Sequence, residues 1–426
     1  MTMRWLFVLS VVAAGCSIVD EPGSHGPGRP SSTTSVVGAE TAAATLHCPS
    51  ISTTTAPLPD DWQRELDRTL LASAFHGLDL SVSIWIDGYG EVAAVNPDTR
   101  LLPASNQKMF TAMGAFATLE HDHGFTTEVH FDDGALTLVA GGDPTLRING
   151  DHSLGALARQ VAAHGVGPIH TLGVDASWFS FNRTAVGWQD FHIPDYVGPL
   201  SAFTVNDNRY RTDEEFLFSP AVGNLETFAD ALRTVGVDVG GATIDPTGSA
   251  KGPLIASVRS LPMSSLLPDM LTRSDNETAE AILREVGGGS TPGGIEAVDE
   301  VLEGLCTGRT GQSGDGSGLS RENLRSAREW RSLLQAAAST WWGVEFRDAL
   351  PVAGRSGTLA RRLTGSTTRD NVSAKTGSII GGQALSGYAN TVDGRALVFS
   401  IIVNGDPVAV RAARPSIDAI VTAAVG

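Results

Sequence analysis

Apolar and polar positions follow two periods along this chain, and the changes of period mark its elements. Residues 80–86, Leu-Ser-Val-Ser-Ile-Trp-Ile, alternate with period two. Asp87-Gly88-Tyr89-Gly90 then turns the chain and 91–95 returns, which predicts a β-hairpin. Upstream, Asp60-Asp61 precedes Trp62, Leu66, Leu70 and Leu71 at helical spacing, predicting an N-capped helix that runs toward Gly77. Pro103 opens a strongly apolar helical stretch through Phe110, Met113, Phe116 and Leu119. Near the other end, 372–379, 384–389 and 396–403 read as three strands joined by turns at Gly381-Gly382 and Asp393-Gly394. The last of these is apolar on both faces, so it is expected at the centre of its sheet. A closing helix is predicted over 407–424.

Two strands from the start and three from the end predict one five-stranded antiparallel sheet with helices packed on it. The fold class is therefore α+β. Between them, 124–261 alternates short apolar runs with Gly, Asp and Pro turns and reads as a strand-rich inserted domain. The expected organisation is an export signal over 1–16, a flexible tether over 17–47, a main domain from 48–123 and 262–426, and the insertion over 124–261. The 426 residues, 42% of them hydrophobic, are enough for more than one packed core.

Arg4, the apolar residues 6–14 and the small residues before Cys16 have the pattern of an export signal, too short to span a bilayer. Ala-Ala-Gly-Cys16 is similar to a bacterial lipoprotein signal, in which Cys16 would carry the lipid; secretion without an anchor is the alternative. Residues 17–47 are rich in Ser, Thr, Gly, Pro and Ala and cannot bury enough surface to offset the entropy of ordering. In an oxidising compartment Cys48 and Cys306 could pair as a disulfide, with two separate thiols as the alternative. The formal net charge of −17 is not gathered into runs, and no cluster of Lys and Arg offers a phosphate-binding surface, which argues against nucleic acid as a partner.

Cations point to the chemistry. Of 30 basic residues only Lys108, Lys251 and Lys375 are lysines. Arginine holds its proton near neutral pH, whereas a buried lysine can be tuned to act as a base. Ser105-Asn106-Gln107-Lys108 opens the apolar helix, and at i, i+3 the hydroxyl and amine share a face. Burial there would lower the amine's pKa, and free N–H groups at the helix start could serve an oxyanion. Ser274-Asp275-Asn276 lies between two apolar helical segments, where a hydroxyl and an amide could relay a proton and hold a substrate amide; the bland reading is an N-cap. Lys375-Thr376-Gly377-Ser378 sits in the first meander strand. A lysine in an apolar strand calls for an anionic partner, unless its head simply reaches solvent. In an ideal strand Thr376 and Ser378 face away from Lys375 and Gly377, so a local twist is expected if all serve one ligand. His121-Asp122-His123 has no further ligands at metal spacing and reads as a solvated turn. No metal and no cofactor is expected.

Together the three motifs, in this order, fit the S-x-x-K, S-D-N and K-T-G set of serine acyl-transfer enzymes, and two of the three lysines fall on its required positions. The chain thus resembles the penicillin-binding proteins, most of all the low-molecular-mass class C branch of D-Ala-D-Ala carboxypeptidases and endopeptidases. The long interval between the first two motifs suits that branch. So do Gly142-Asp143-Pro144-Thr145-Leu146, Gly187-Trp188, Asp315-Gly316-Ser317-Gly318-Leu319-Ser320 and Leu350-Pro351-Val352-Ala353-Gly354.

The resemblance implies a penicillin-binding-protein/β-lactamase-like transpeptidase fold. It implies that Ser105 attacks the carbonyl of the penultimate D-Ala with Lys108 as base, that Ser274 protonates the leaving amine, and that Asn276 holds Lys108 and substrate. Lys375, Thr376 and Ser378 would bind the terminal carboxylate or keep the site cationic, with Gly377 among the substrate-binding residues, and the N–H groups of Ser105 and Ser378 would hold the oxyanion. Asp190, with Asp195 competing, is where the family can place an acid for the stem peptide's side-chain amine; a plain surface acid is the alternative. The implied partners are peptidoglycan stem peptides, with β-lactams as inhibitors and the membrane reached only through a lipid on Cys16. The implied place is the outer face of the cytoplasmic membrane or the wall. Competing readings are a serine β-lactamase or esterase of the same superfamily and a catalytically silent wall-binding module. Against the first, no Glu followed four residues later by Asn occurs between Asn276 and Lys375.

Overall fold

The computed structural model describes residues 56–305, 307 and 311–426. Cys16, Cys48 and Cys306, and with them the lipid, tether and disulfide expectations, lie outside the described residues. Among the described residues ten strands form two sheets: β1 (Asp79–Ile86), β2 (Gly90–Val95), β3 (Thr126–Asp132), β4 (Ala135–Ala140), β5 (Thr171–Asp175), β6 (Thr243–Asp245), β7 (Leu254–Arg259), β8 (Ser373–Ile379), β9 (Gly382–Asn390) and β10 (Ala396–Asn404). The helices of the first half are α1 (Asp60–Leu70), α2 (Gln107–Thr118), α3 (Leu154–His164), α4 (Glu214–Phe218) and α5 (Pro220–Thr234). Those of the second half are α6 (Met263–Arg273), α7 (Asn276–Val286), α8 (Thr291–Gly304), α9 (Ala327–Ala338), α10 (Gly343–Asp348), α11 (Pro407–Ala412) and α12 (Arg414–Val425).

The first sheet runs β2-β1-β10-β9-β8, antiparallel throughout. The N-terminal hairpin docks on the C-terminal meander through β1 and β10, in register from Asp79↔Asn404 to Ile86↔Leu397. The central place of β10 follows from its two apolar faces. Leu397, Phe399, Ile401 and Val403 enter the core beneath α1 and α12, while Val398 and Ile402 enter the core that contains α2 and α9. Each buried side chain of this size contributes about 1.5–3 kcal/mol. β8 is left at the edge, and that edge carries the lysine motif.

Two helical expectations change. Asp60 and Asp61 lie inside the first turn of α1 rather than capping it; Pro59 occupies the cap position and makes no side-chain bond. There the acids complement the positive end of the helix dipole. α1 ends at Leu70, short of Gly77, and a 3₁₀ turn follows at Ser73–Phe75. The closing helix is two helices that meet at Ala413, because Pro415 has no N–H to continue the first and suits the opening turn of the second.

The segment between the first two motifs carries the second sheet, ordered β6-β5-β4-β3-β7. Its β3–β4 and β3–β7 pairs are antiparallel, but β4–β5 and β5–β6 are parallel. Parallel neighbours need crossovers, and α3 and α5 supply them while packing on the sheet and on each other. The Gly and Pro punctuation of the sequence signalled the strands and left these crossover helices unread. No helix among the described residues is long and apolar enough to cross a membrane.

Candidate active site

The turn that presents Ser105 is held from both sides. Ser105 is half-buried in a 3₁₀ turn (Ala104–Asn106) that leads straight into α2, so Lys108 follows in the first α-helical turn on the same face. Ala104 has φ 47°, a left-handed conformation costing about 1–3 kcal/mol for a residue with a Cβ. Its surroundings hold it there. On one side Gly318 lies so close that a Cβ would sit 2.1 Å from the Ala104 carbonyl oxygen. On the other, a Cβ on Gly377 of β8 would lie 2.5 Å from the Pro103 oxygen. Beneath, Asn106 donates to Ser386 Oγ at 2.7 Å, and Ser386 meets Ser400 at 2.8 Å, so a small polar ladder ties the turn to β9 and β10. Gly318 has φ 94°, so a side chain there is strained as well as obstructed. Gly318→Ala should lower unfolding stability by about 1–3 kcal/mol. It should also slow any chemistry at Ser105; urea denaturation and a β-lactam acylation rate read the two effects separately.

Lys108 is fully buried, and its three donor directions all end on acceptors. They are Ser105 Oγ at 3.3 Å, Asn276 Oδ1 at 2.7 Å and the backbone carbonyl of Ser317. Burial pushes the amine down to about 8, against the opposing charges of Asp315, Asp275 and Glu280. As a neutral amine it keeps two N–H bonds, which Asn276 and Ser317 take, and the lone pair faces the Ser105 hydroxyl. That is the arrangement a general base for a serine nucleophile requires.

α6 ends at Ser274, whose φ of 61° is a left-handed C-cap, and Asp275 caps α7 by accepting from Thr278 N–H. The N-cap role that could explain the whole triplet thus falls to Asp275, leaving Ser274 and Asn276 free to project toward the lysines. Asn276 uses both ends of its amide: Oδ1 accepts from Lys108, and Nδ2 donates to the Tyr196 carbonyl at 2.9 Å. Lys375, fully buried in β8, donates to Ser274 Oγ at 3.0 Å and to the Thr376 carbonyl at 2.9 Å. Burial and the nearby Lys108 charge hold its amine well below the ordinary lysine value. The five residues Ser105, Lys108, Ser274, Asn276 and Lys375 therefore lie in two bonded groups, with the charge of Lys108 acting on Lys375.

Thr376 donates to Thr358 Oγ1 at 2.7 Å, and Ser378 Oγ accepts from Gln383 at 2.7 Å. Gly377 packs against the Ser105 turn on the same side as Lys375, so the alternation of an ordinary strand is kept. The Ala374 N–H points away from β9 to the Pro351 carbonyl, where a bridge between Val352 and Ser373 covers the start of the β8 edge. With period two, the N–H groups of Thr376 and Ser378 point to that edge as well.

Several parts of the site had no side-chain signature in sequence. Asp315, fully buried, organises the 315–320 loop: it accepts from Trp188 Nε1 at 2.8 Å, Gly318 N at 2.8 Å, Ser320 N at 2.7 Å and Asn323 Nδ2 at 2.7 Å. The carbonyls of that loop face α2, where Gln107 meets Asp315 O, Thr111 meets Gly316 O and Lys108 meets Ser317 O. The glycine-rich run marked the loop; its backbone acceptors carried no signal. Trp188 and Tyr196 bring the 187–199 segment to the site, yet Asp190 is exposed and makes no hydrogen bond or ion pair among the described residues, and Asp195 is exposed too. His121 and His123 pair with Glu345 and Glu285. Among the described residues no group of three or more His, Cys, Asp or Glu is placed to hold a metal.

Comparison with known proteins places the chain in a family. The profile of the D-Ala-D-Ala carboxypeptidase 3 (S13) family matches residues 86–216 and 214–424. A D-alanyl-D-alanine carboxypeptidase of Actinomadura sp. is 32% identical over 400 residues, covering 72% of this chain and 74% of that protein. A carboxypeptidase of Mycobacterium tuberculosis is 33% identical over 345 residues, 72% of each. The crystal structure of penicillin-binding protein 4 from Haemophilus influenzae superposes with a TM-score of 0.71 at 23% identity, over 80% of this chain and 93% of that one, and so shares the fold. The chain belongs to the D-Ala-D-Ala carboxypeptidase 3 (S13) family.

Proposed function

We propose that this enzyme hydrolyses the D-Ala-D-Ala bond of peptidoglycan stem peptides through an acyl-serine on Ser105, and that it cleaves D-Ala cross-links by the same chemistry. The observation that carries the reading is the Lys108 amine, fixed by Asn276 Oδ1 and Ser317 O with its remaining direction on Ser105 Oγ.

The Ser105 hydroxyl gives its proton to Lys108 as Oγ attacks the carbonyl carbon of the penultimate D-Ala. Ser105 N–H, at the start of a helical turn, and Ser378 N–H, on the open edge of β8, hold the oxyanion. When the C–N bond breaks, Ser274 delivers a proton to the leaving amine and is reprotonated from Lys375. An incoming terminal carboxylate beside Lys375 raises that lysine's proton affinity, so the relay is loaded by substrate binding. Once Lys108 has given up its proton to solvent and Lys375 has regained one, the neutral Lys108 takes a proton from a water that attacks the acyl carbon, and returns it to Ser105 Oγ as the ester C–O bond breaks and the shortened peptide leaves. A stem peptide laid along β8 would extend the sheet by one strand, with Thr376 and Ser378 at its C-terminal carboxylate.

In this reading residues 48–123 and 262–426 are the catalytic part. The 124–261 insertion walls the site through Trp188 and Tyr196, and Asp190 supplies an acid for the stem peptide's side-chain amine. β-Lactams acylate Ser105 and stay bound. The enzyme is exported by residues 1–16 and anchored through lipid on Cys16, which metabolic palmitate labelling of wild type and Cys16→Ala would test. The activity itself is tested by mass spectrometry of muropeptides incubated with enzyme. Loss of one terminal alanine shows carboxypeptidase action, and conversion of cross-linked dimers to monomers shows endopeptidase action. Muropeptides left unchanged would favour a silent wall-binding module.

A further inference from the structure

Glu280 sits one helical turn after Asn276, on the same face of α7, with its carboxyl fully buried. Its Oε1 accepts from Gly316 N at 3.1 Å and Ser317 N at 2.8 Å, while Oε2 has no hydrogen-bond partner among the described residues. The peptide group whose N–H it holds belongs to Ser317, the residue whose carbonyl receives Lys108. α7 thus grips the lysine twice, directly through Asn276 and indirectly through Glu280. A buried carboxyl with one oxygen left unpaired costs stability, so its presence beside the reacting amine calls for an explanation.

We propose that Glu280 is a positioning residue for the general base: it clamps the Gly316–Ser317 backbone so that the Ser317 carbonyl takes one Lys108 N–H, and it places a compensating charge behind the amine. The proposal rests on the reading of Ser105 as nucleophile and Lys108 as base. Lys108 faces Glu280 and Asp275 of the α7 side, Asp315 of the loop and Lys375 of β8; Glu280 faces Asp315, Glu277 and Arg284 besides Lys108. Burial raises the Glu280 carboxyl to about 7, with Asp315 adding to the rise. The charge of the Glu280 carboxylate favours the protonated amine. It raises the pKa that burial lowers, keeping the amine basic enough to take a proton from a hydroxyl.

The experiment is the pH dependence of acylation by a fluorescent penicillin, measured on wild type, Glu280→Gln, Glu280→Ala and Ser105→Ala. The glutamine keeps an oxygen for the two backbone N–H groups and removes the charge. Its acidic limb should move to lower pH by about half a unit or more, because the neutral form of Lys108 gains ground. Glu280→Ala loses the clamp too and should acylate about 10–100-fold more slowly at every pH, since small misplacements of a catalytic group cost that much. If Glu280→Gln keeps the wild-type limb, or is merely slower by one factor throughout, Glu280 is only structural and the proposal falls. Should the alanine variant not fold, the glutamine arm alone decides. Acylation surviving in Ser105→Ala would overturn the underlying site reading instead, whatever Glu280 does.

Discussion

Ser105→Ala should abolish acylation by penicillin and release of D-Ala, by at least about 1,000-fold, while leaving the fold intact. The size follows from the role, because without the hydroxyl no acyl-enzyme forms and only the binding and oxyanion contributions remain. The fold is spared because the hydroxyl is half-exposed and its bond to Lys108, at 3.3 Å, is the longest of that amine's three. Thermal unfolding should therefore stay close to wild type. A variant that keeps D-Ala release would move the nucleophile elsewhere. One that loses both activity and its unfolding transition would say nothing about chemistry, so both are measured on the same preparation.

Lys108→Arg should be equally damaging to the rate and should also erase its pH dependence. In the proposed mechanism the working form is the neutral amine. Burial places its pKa at about 8, so acylation should rise with pH through a midpoint near 8. The sign is fixed by the group: protonation removes the lone pair, so the enzyme is slow below the midpoint and fast above it. Arginine remains charged at any accessible pH and cannot accept the proton, so the rate should fall about 1,000-fold and the acidic limb vanish. Because a larger buried cation could disturb folding, Lys108→Met is the companion variant, uncharged and close in length. A limb that persists in both variants would assign the titration to another group, with Lys375 the nearest alternative.

How much of this was legible before the structure depended on the kind of signal. The hairpin at 80–95 was readable from the alternation of 80–86 and the glycine turn after it, and the meander at 372–403 from apolar runs separated by glycine turns. The inner place of β10 was readable because Leu397, Phe399 and Val403 on one face and Val398 and Ile402 on the other left it no solvent side. The serine and lysine motifs were readable because each is contiguous, and the scarcity of lysine set two of them apart. The crossover helices α3 and α5 were not, since parallel pairing of β4, β5 and β6 is a tertiary choice that short apolar runs do not encode. Nor was the break at Ala413, although Pro415 supplied a signal for it.

At the site, what the sequence concealed is mostly backbone. The Ser317 and Tyr196 carbonyls that orient Lys108 and Asn276 belong to residues whose side chains advertise nothing of the kind. The left-handed turn at Ala104 is imposed by Gly318 and Gly377 from distant segments, and an alanine gives no local hint of it. Glu280 did leave a trace: an acid four residues after Asn276 in an apolar helix shares its face. Asp190 was suggested by its neighbours in sequence, and its exposed side chain makes no hydrogen bond or ion pair among the described residues.

The most direct test of the account is an intact-mass and peptide-mapping experiment with benzylpenicillin. The account predicts a single adduct of the antibiotic's full mass, on the peptide containing Ser105, that persists over a time course of hours and is missing in Ser105→Ala. An adduct on any other residue, or rapid hydrolysis of the antibiotic with no adduct accumulating, would contradict it.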